Sequence, residues 1–324
     1  MVLHAVTKLG ETTTGFPPIN SFFLGITYIL LLHKTSHDKP PKVFSAGVVV
    51  IVQSIVRTKA DISILRRIAI RVRKKIIRMG LVDSSVHVGA SLSISDILVA
   101  LYFGRGLRRG GSKPTERDWL ILSKGHAVPA LYAILSELGL IPENKLDTIR
   151  AIDGLEGHPS IDVPGIDVST GSLGQGLSIG AGIAYAMRLD GTADQYKVFV
   201  ILGDGELDEG QVWEAATTIT HYNLYNVIPI VDINGFQLDG PIDQVKRKGD
   251  IAGRWMSIGW RVVECDGHSF TSILSALEEA ETARQPTVIL AYTRRGRGIS
   301  TLERTGEQHI KDRQGVPIPY YYTE

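Results

Sequence analysis

Lys197-Val198-Phe199-Val200-Ile201-Leu202 runs into Gly203-Asp204-Gly205-Glu206-Leu207-Asp208-Glu209-Gly210, and Asn226-Val227-Ile228-Pro229-Ile230-Val231-Asp232 runs into Ile233-Asn234-Gly235. Each apolar run is short, continuous and closed by a glycine-bearing turn, as in a strand buried on both faces. The spacing between them predicts a helix over 211–222. A strand, a helix and a second strand form a crossover that lays the two strands parallel in one sheet. Further strand patterns fall at 119–122, 260–264 and 287–291, and helical patterns at 61–79, 91–103, 129–139, 174–188 and 269–283. The expected class is α/β, a doubly wound parallel sheet flanked by helices. Residues 104–118 and 151–171 read as loops, and the tail after 297 as polar and weakly structured.

In such a sheet, ligands gather outside the carboxyl ends of the strands. Asp204 ends one strand and Asn234 lies just beyond the next, so both side chains can enter one crevice. Carboxylate and amide oxygens suit a hard cation, Mg²⁺ or Ca²⁺, whose shell is completed by phosphate oxygens and water. The glycines beside Asp204 let backbone approach a phosphate. Taken singly, Gly-Asp-Gly and Asn-Gly are ordinary turns. Their joint placement on two strand ends points to a metal and a diphosphate.

The rest of the chain sets bounds. Its 324 residues are 44% hydrophobic and 21% charged, with a net charge of +1. That composition builds one large or two ordinary domains and exerts no global attraction on nucleic acid. The single cysteine, Cys265, cannot form an internal disulfide and reads as a protein of a reducing, cytoplasmic compartment. Residues 1–60 differ from the remainder. Their apolar runs, 21–32 and 43–56, are each too short to cross a bilayer, and no basic stretch precedes the first. They are expected to be an extension or a start placed too far upstream, with no membrane role. A domain over 61–300 and a tail over 301–324 follow. Over 61–79, Ile62, Leu65, Ala69, Val72, Ile76 and Met79 share one helix face. The opposite, basic face lacks interleaved aromatics and reads as solvated rather than as a nucleic-acid surface.

The segment 203–210 with 232–240 resembles the thiamine-diphosphate motif of the transketolase family. Leu122-Ser123-Lys124-Gly125-His126-Ala127, Gly157-His158-Pro159 and Ser169-Thr170-Gly171-Ser172-Leu173-Gly174-Gln175-Gly176 are similar to three more segments of that family. The resemblance covers about 61–298 and is nearest in kind to the short N-terminal, diphosphate-binding subunit of split transketolases. It implies a thiamine-diphosphate-binding fold. It also implies metal ligation by Asp204, Asn234 and the carbonyl of Phe236. Cofactor contacts are implied at Gly171, Leu173, Gly203, Gly205, Glu209, Leu238 and His309, with His126 at the diphosphate end. His87 and His158 would line the substrate channel and, with His126, handle protons. Three departures stand out. Arg295 replaces a lysine of the family's Thr-x-Lys-Gly-x-Gly segment, Ile310 follows His309 where glycine is usual, and Val86 stands where glycine is common. His268, in Asp266-Gly267-His268, reads as structural or near the cofactor mouth.

The implied reaction is thiamine-dependent transfer of a two-carbon ketol unit from a ketose (phosphate) to an aldose. The glutamate that activates the aminopyrimidine sits in the family on a second α/β domain. A partner subunit is expected to supply it, in an α₂β₂ assembly. Three alternatives stay open: the subunit of a related thiamine enzyme acting on an unusual ketose or an α-keto acid, a non-catalytic assembly subunit, and a plain nucleotide-binding protein. The last predicts a G-x-G-x-x-G opening a helix after the first strand, which the sequence lacks there.

Overall fold

The computed structural model describes residues 61–237, 240–304, 309–311 and 317–319, beyond Glu303 by the backbone alone. The 1–60 extension, Leu238 and most of the tail lie outside the described residues. Five parallel strands form the central sheet: β1 (Trp119–Leu122), β2 (Val198–Gly203), β3 (Val227–Ile233), β4 (Arg261–Asp266) and β5 (Thr287–Tyr292). Their order is β1-β2-β3-β5-β4. The register pairs Leu122 with Ile201, Gly203 with Asp232, and Asp232 with Ala291, so all five strands deliver their ends to one edge. Pro229 sits in β3 opposite Val200, and the β5 ladder begins only at Ile230. One flank of Pro229 is therefore free of pairing, which is where a missing N–H costs nothing.

The alternation along each strand divides the core into two layers. Phe199, Ile201, Ile228 and Ile230 join one cluster, and Val198, Val200, Leu202, Val227 and Val231 the other. The first layer is covered by α1 (Ile62–Val82), α2 (Val88–Ser93), α3 (Ser95–Val99), α4 (Val128–Glu137) and, later in the chain, the helix Phe270–Thr282. The second is covered by α5 (Gln175–Leu189), α6 (Gly210–His221) and the short helix Ile251–Ser257, whose Trp255 is fully buried. The α/β, doubly wound expectation is the fold observed.

Two expectations change. The basic face of α1 is not simply solvated. Arg71 and Lys75 pair with Glu137, Arg78 with Asp147 and Glu143, and Arg73 with Asp96. The face docks the helix onto α4, the 3₁₀ turn Glu143–Thr148 and α3. The single helix expected over 91–103 is instead α2, a break at Ile94, α3 and a π-helical turn Ala100–Arg105. The hydroxyls of Ser91, Ser93 and Ser95 donate back to the carbonyls of His87, Ala90 and Leu92 at 2.8, 2.9 and 2.6 Å. These bonds compete with the helical ladder and bend it. A short helix, Ser300–Arg304, begins at the expected domain limit and places Leu302 in the first core layer. Among the described residues, no helix is long and apolar enough to cross a membrane.

Candidate functional site

The shared sheet edge brings five segments together: Ser123-Lys124 after β1, Asp204 after β2, Asn234 after β3, His268 after β4 and Thr293–Gly298 after β5. Asp204 is 1% exposed. Its carboxylate accepts the Gly205 N–H at 2.8 Å and the Gly235 N–H at 2.7 Å, which ties the turn after β2 to the turn after β3. Burial, and then the charge of Asp232, push its pKa up to about 6. Asn234 is oriented by both ends of its amide. Its Nδ2 donates to Asp232 Oδ2 at 2.9 Å, and its Oδ1 accepts the Phe236 N–H at 3.0 Å.

Asp232 is the fixed point beneath them. It is fully buried and accepts from Lys124 Nζ at 2.6 Å, Ser93 Oγ at 2.7 Å and Thr293 Oγ1. Burial alone would raise its pKa. Lys124, itself 2% exposed, together with the hydroxyls of Thr293 and Ser93, outweighs that and holds the carboxyl below its usual range. Asp204 receives no such partner, because no lysine, arginine or histidine among the described residues pairs with it. Two N–H groups and the charge of Lys124, whose ion pair is with Asp232, leave this buried carboxylate raised, and a divalent cation would relieve it. Among the described residues, no cluster of three acids or histidines could hold a metal by itself. One carboxylate, one amide and one backbone carbonyl therefore fit a hard cation that takes its remaining ligands from a diphosphate and water.

Glu206 joins three of the matching segments, and the motifs do not single it out as a site residue. It is 2% exposed, and its carboxylate accepts from Ser123 Oγ, Gly174 N at 2.7 Å and Gly203 N at 3.0 Å. Ser123 Oγ in turn accepts the Gly176 N–H at 3.2 Å. The start of α5 is thereby fixed against the ends of β1 and β2. Gly174, at φ +87°, is seated so that a Cβ there would lie 2.7 Å from Glu209 Cβ. Gln211 donates to the Leu173 carbonyl at 3.2 Å. The sequence signal for Glu206 is only its place in the Gly-Asp-Gly run. Its role depends on where β1 and α5 end up.

His87 and His126 are in contact, with ring centroids 5.1 Å apart at 65°. Burial, then Arg295, lowers His87 to about 4, and burial, then Lys124, lowers His126 well below its ordinary value. Both rings are neutral at pH 7, able to accept a proton. His158 is exposed and rests against Gly171, where a Cβ would meet its ring at 3.5 Å. Its pKa is lowered by partial burial and by Arg150. Lys124 acts on Asp204, His126 and His87, and so links the acidic and the imidazole halves of the edge. His309 pairs by its backbone with Pro319, and its side chain, like Leu238, is outside the described residues. Val86 is 2% exposed in the first core layer, so the departure from glycine is absorbed by packing.

Comparison with known proteins identifies the family. The family described as transketolase, thiamine diphosphate binding domain, matches residues 69–312. One of the subunits of the apulose-4-phosphate transketolase of Phocaeicola vulgatus is 38% identical over 256 residues, covering 78% of this chain and 89% of that one. The 6-deoxy-6-sulfo-D-fructose transketolase subunit SqwG of a Clostridium species is 42% identical over 222 residues, covering 67% and 80%. The crystal structure of transketolase from Campylobacter jejuni superposes with a TM-score of 0.70 at 30% identity, covering 76% of this chain and 40% of that one. The chain thus spans most of the subunit-length relatives and about two fifths of the longer enzyme. The chain belongs to the transketolase family and carries its thiamine-diphosphate-binding domain.

Proposed function

We propose that the chain is the diphosphate-binding subunit of a two-chain transketolase, moving a two-carbon ketol unit from a ketose phosphate to an aldose. The observation that carries this reading is the cation-deficient Asp204 held beside Asn234 on adjacent strand ends, with three histidines on the same edge. Asp204, Asn234 and the Phe236 carbonyl hold Mg²⁺, or Ca²⁺. Gly203 and Gly205 leave room for the diphosphate, with Gly171, Leu173, Glu209, Leu238 and His309 as further cofactor contacts. Bound thiamine diphosphate supplies the carbon nucleophile and electron sink of the reaction. His126 serves the diphosphate end. His87 and His158 accept and return hydroxyl protons of the sugars. The named substrates of the two subunit relatives are both anionic ketoses, which supports an anionic ketose as donor.

Subunit naming in the relatives supports a partner chain. That partner supplies the pyrimidine-binding domain and its activating glutamate in an α₂β₂ complex. A cytoplasmic location fits the single, buried Cys265. The reading extends the cofactor-binding domain over 61–300, with 301–324 as a tail. The test is calorimetry of thiamine diphosphate with Mg²⁺ on the assembled complex. Asp204→Ala is expected to abolish metal-dependent binding. Unchanged affinity would remove Asp204 from the site.

A further inference from the structure

Asp96 lies on α3, 4% exposed and outside every motif described above. Its Oδ2 accepts from Arg73 Nη2 at 2.5 Å and meets His268 Nδ1 at 2.9 Å. The other ring nitrogen of His268, Nε2, accepts the backbone N–H of Arg294 at 2.8 Å. A backbone N–H can only donate, so the proton of a neutral His268 sits on Nδ1 and is donated to Asp96. Arg73 uses its Nε to donate to the Arg297 carbonyl at 3.1 Å. One carboxylate therefore controls two arms, and the arms grip the 293–298 segment at both ends.

Arg295 and Gly296 lie between the arms. Gly296, at φ +74°, donates its N–H to the Gly89 carbonyl at 3.1 Å. Arg295 lies flat on the start of α2, where a Cβ on Gly89 would come within 3.0 Å of its Nε and 3.1 Å of its Cγ. A side chain at 89 would press on that seat. His87 stands two residues earlier on the same turn. Given the site proposed above, we infer that Asp96, acting through His268 and Arg73, is a positioning residue that seats Arg295 beside His87 and His126.

The charges around the two ends of this device are few. His87 is acted on by Arg295, His158, Arg150 and Lys124, and it touches His126. His268 faces Asp96, donates its own N–H to Asp266, and lies within electrostatic reach of Glu303. Arg295 is the largest of the charge effects on His87, after burial. Releasing it has a readout that needs no catalysis: the His87 ring titrates at higher pH.

The experiment follows the histidine ring resonances of the purified full chain through acid titration, with His87 identified by its loss in His87→Gln. Arg295→Gln sets the size of the effect by raising the His87 midpoint from about 4 toward its ordinary value. Asp96→Asn and His268→Gln are expected to raise it in the same direction, Asp96→Glu to restore it in part, and the surface variant Arg284→Ala to leave it in place. In the assembled complex, Asp96→Asn is expected to lower kcat/KM for the donor about tenfold, as a loss of orientation does. Lowered thermal stability with an unmoved His87 midpoint in Asp96→Asn and His268→Gln would reduce Asp96 to a structural role. An unmoved midpoint in Arg295→Gln would remove the seat itself. If Asp96→Asn does not fold, His268→Gln decides by the same criterion. Absence of ketol transfer in the unaltered complex would defeat the proposed function, yet the titration would still decide the role of Asp96.

Discussion

Asp204 and Asp232 lie at adjacent strand ends, both buried, and their protons are bound oppositely. Burial raises both, but Lys124 donates to Asp232 alone, so only Asp204 is left high, at about 6. The sequence shows both aspartates as strand-end residues. It cannot show that Lys124, more than a hundred positions away, is spent on one of them. The histidines carry a second consequence at this scale. His87 takes its proton near its ordinary 6.5 when unfolded and near 4 when folded. Between those values His87 holds its proton in the unfolded chain and not in the folded one, so its own contribution to stability rises with pH, against the opposite contribution of the raised Asp204. His126 contributes with the same sign as His87. Urea unfolding on either side of that window should show a slope of stability against pH that is less positive in His87→Gln than in the parent. An equal slope in the variant would exclude His87 as the source.

At the scale of elements, the close approach of α5 to β1 decides how the site is assembled. A Cβ at Gly176 would lie 2.5 Å from Ser123 Cβ and 3.0 Å from Ser123 Cα. Gly176→Ala must therefore move α5 or β1, and with them the bonds that join Ser123, Glu206 and Gly174. Overpacking of this kind costs about 1–3 kcal/mol. The loss should appear as a lower urea midpoint and a weaker cofactor affinity. A variant as stable as the parent, with unchanged affinity, would show that the two elements can separate freely. The same scale explains why the helix expected over 91–103 is broken. Periodicity over 91–103 is genuine, and the serines at 91, 93 and 95 are good enough helix residues in isolation. Only their bonds to backbone carbonyls break the ladder at Ile94. The break has a use, since Ser93 reaches Asp232 from it.

At the scale of the molecule, five parallel strand ends converge on one edge, and each carries one part of the candidate site. The chain spans 40% of the longer Campylobacter jejuni enzyme but 89% of a relative named as one subunit of its enzyme. The proposed two-chain enzyme yields a direct expectation. The purified chain should show no ketol transfer from a ketose phosphate, and adding a partner that carries the pyrimidine-binding domain should restore it. Transfer by the single chain, in a coupled aldehyde-release assay, would contradict the need for a partner.

The sequence by itself determined the sheet and the edge on which the candidate site stands. Continuous apolar runs can be satisfied only as strands covered on both faces, and the residues after them must emerge at a common edge. Asp204 and Asn234 were readable for that reason, as local endings of local patterns, and His126 through the family resemblance of its segment. The tertiary structure alone decided which charges meet. Lys124 with Asp232, Glu206 with Gly174, and Asp96 with His268 and Arg73 join residues from separate crossovers. Such pairs follow from strand order and helix placement, which no single stretch of chain encodes. Arg295 marks the boundary between the two. Its departure from the family pattern was plain in the sequence, and its seat on Gly89 exists only because α2, β4 and β5 end at the same edge.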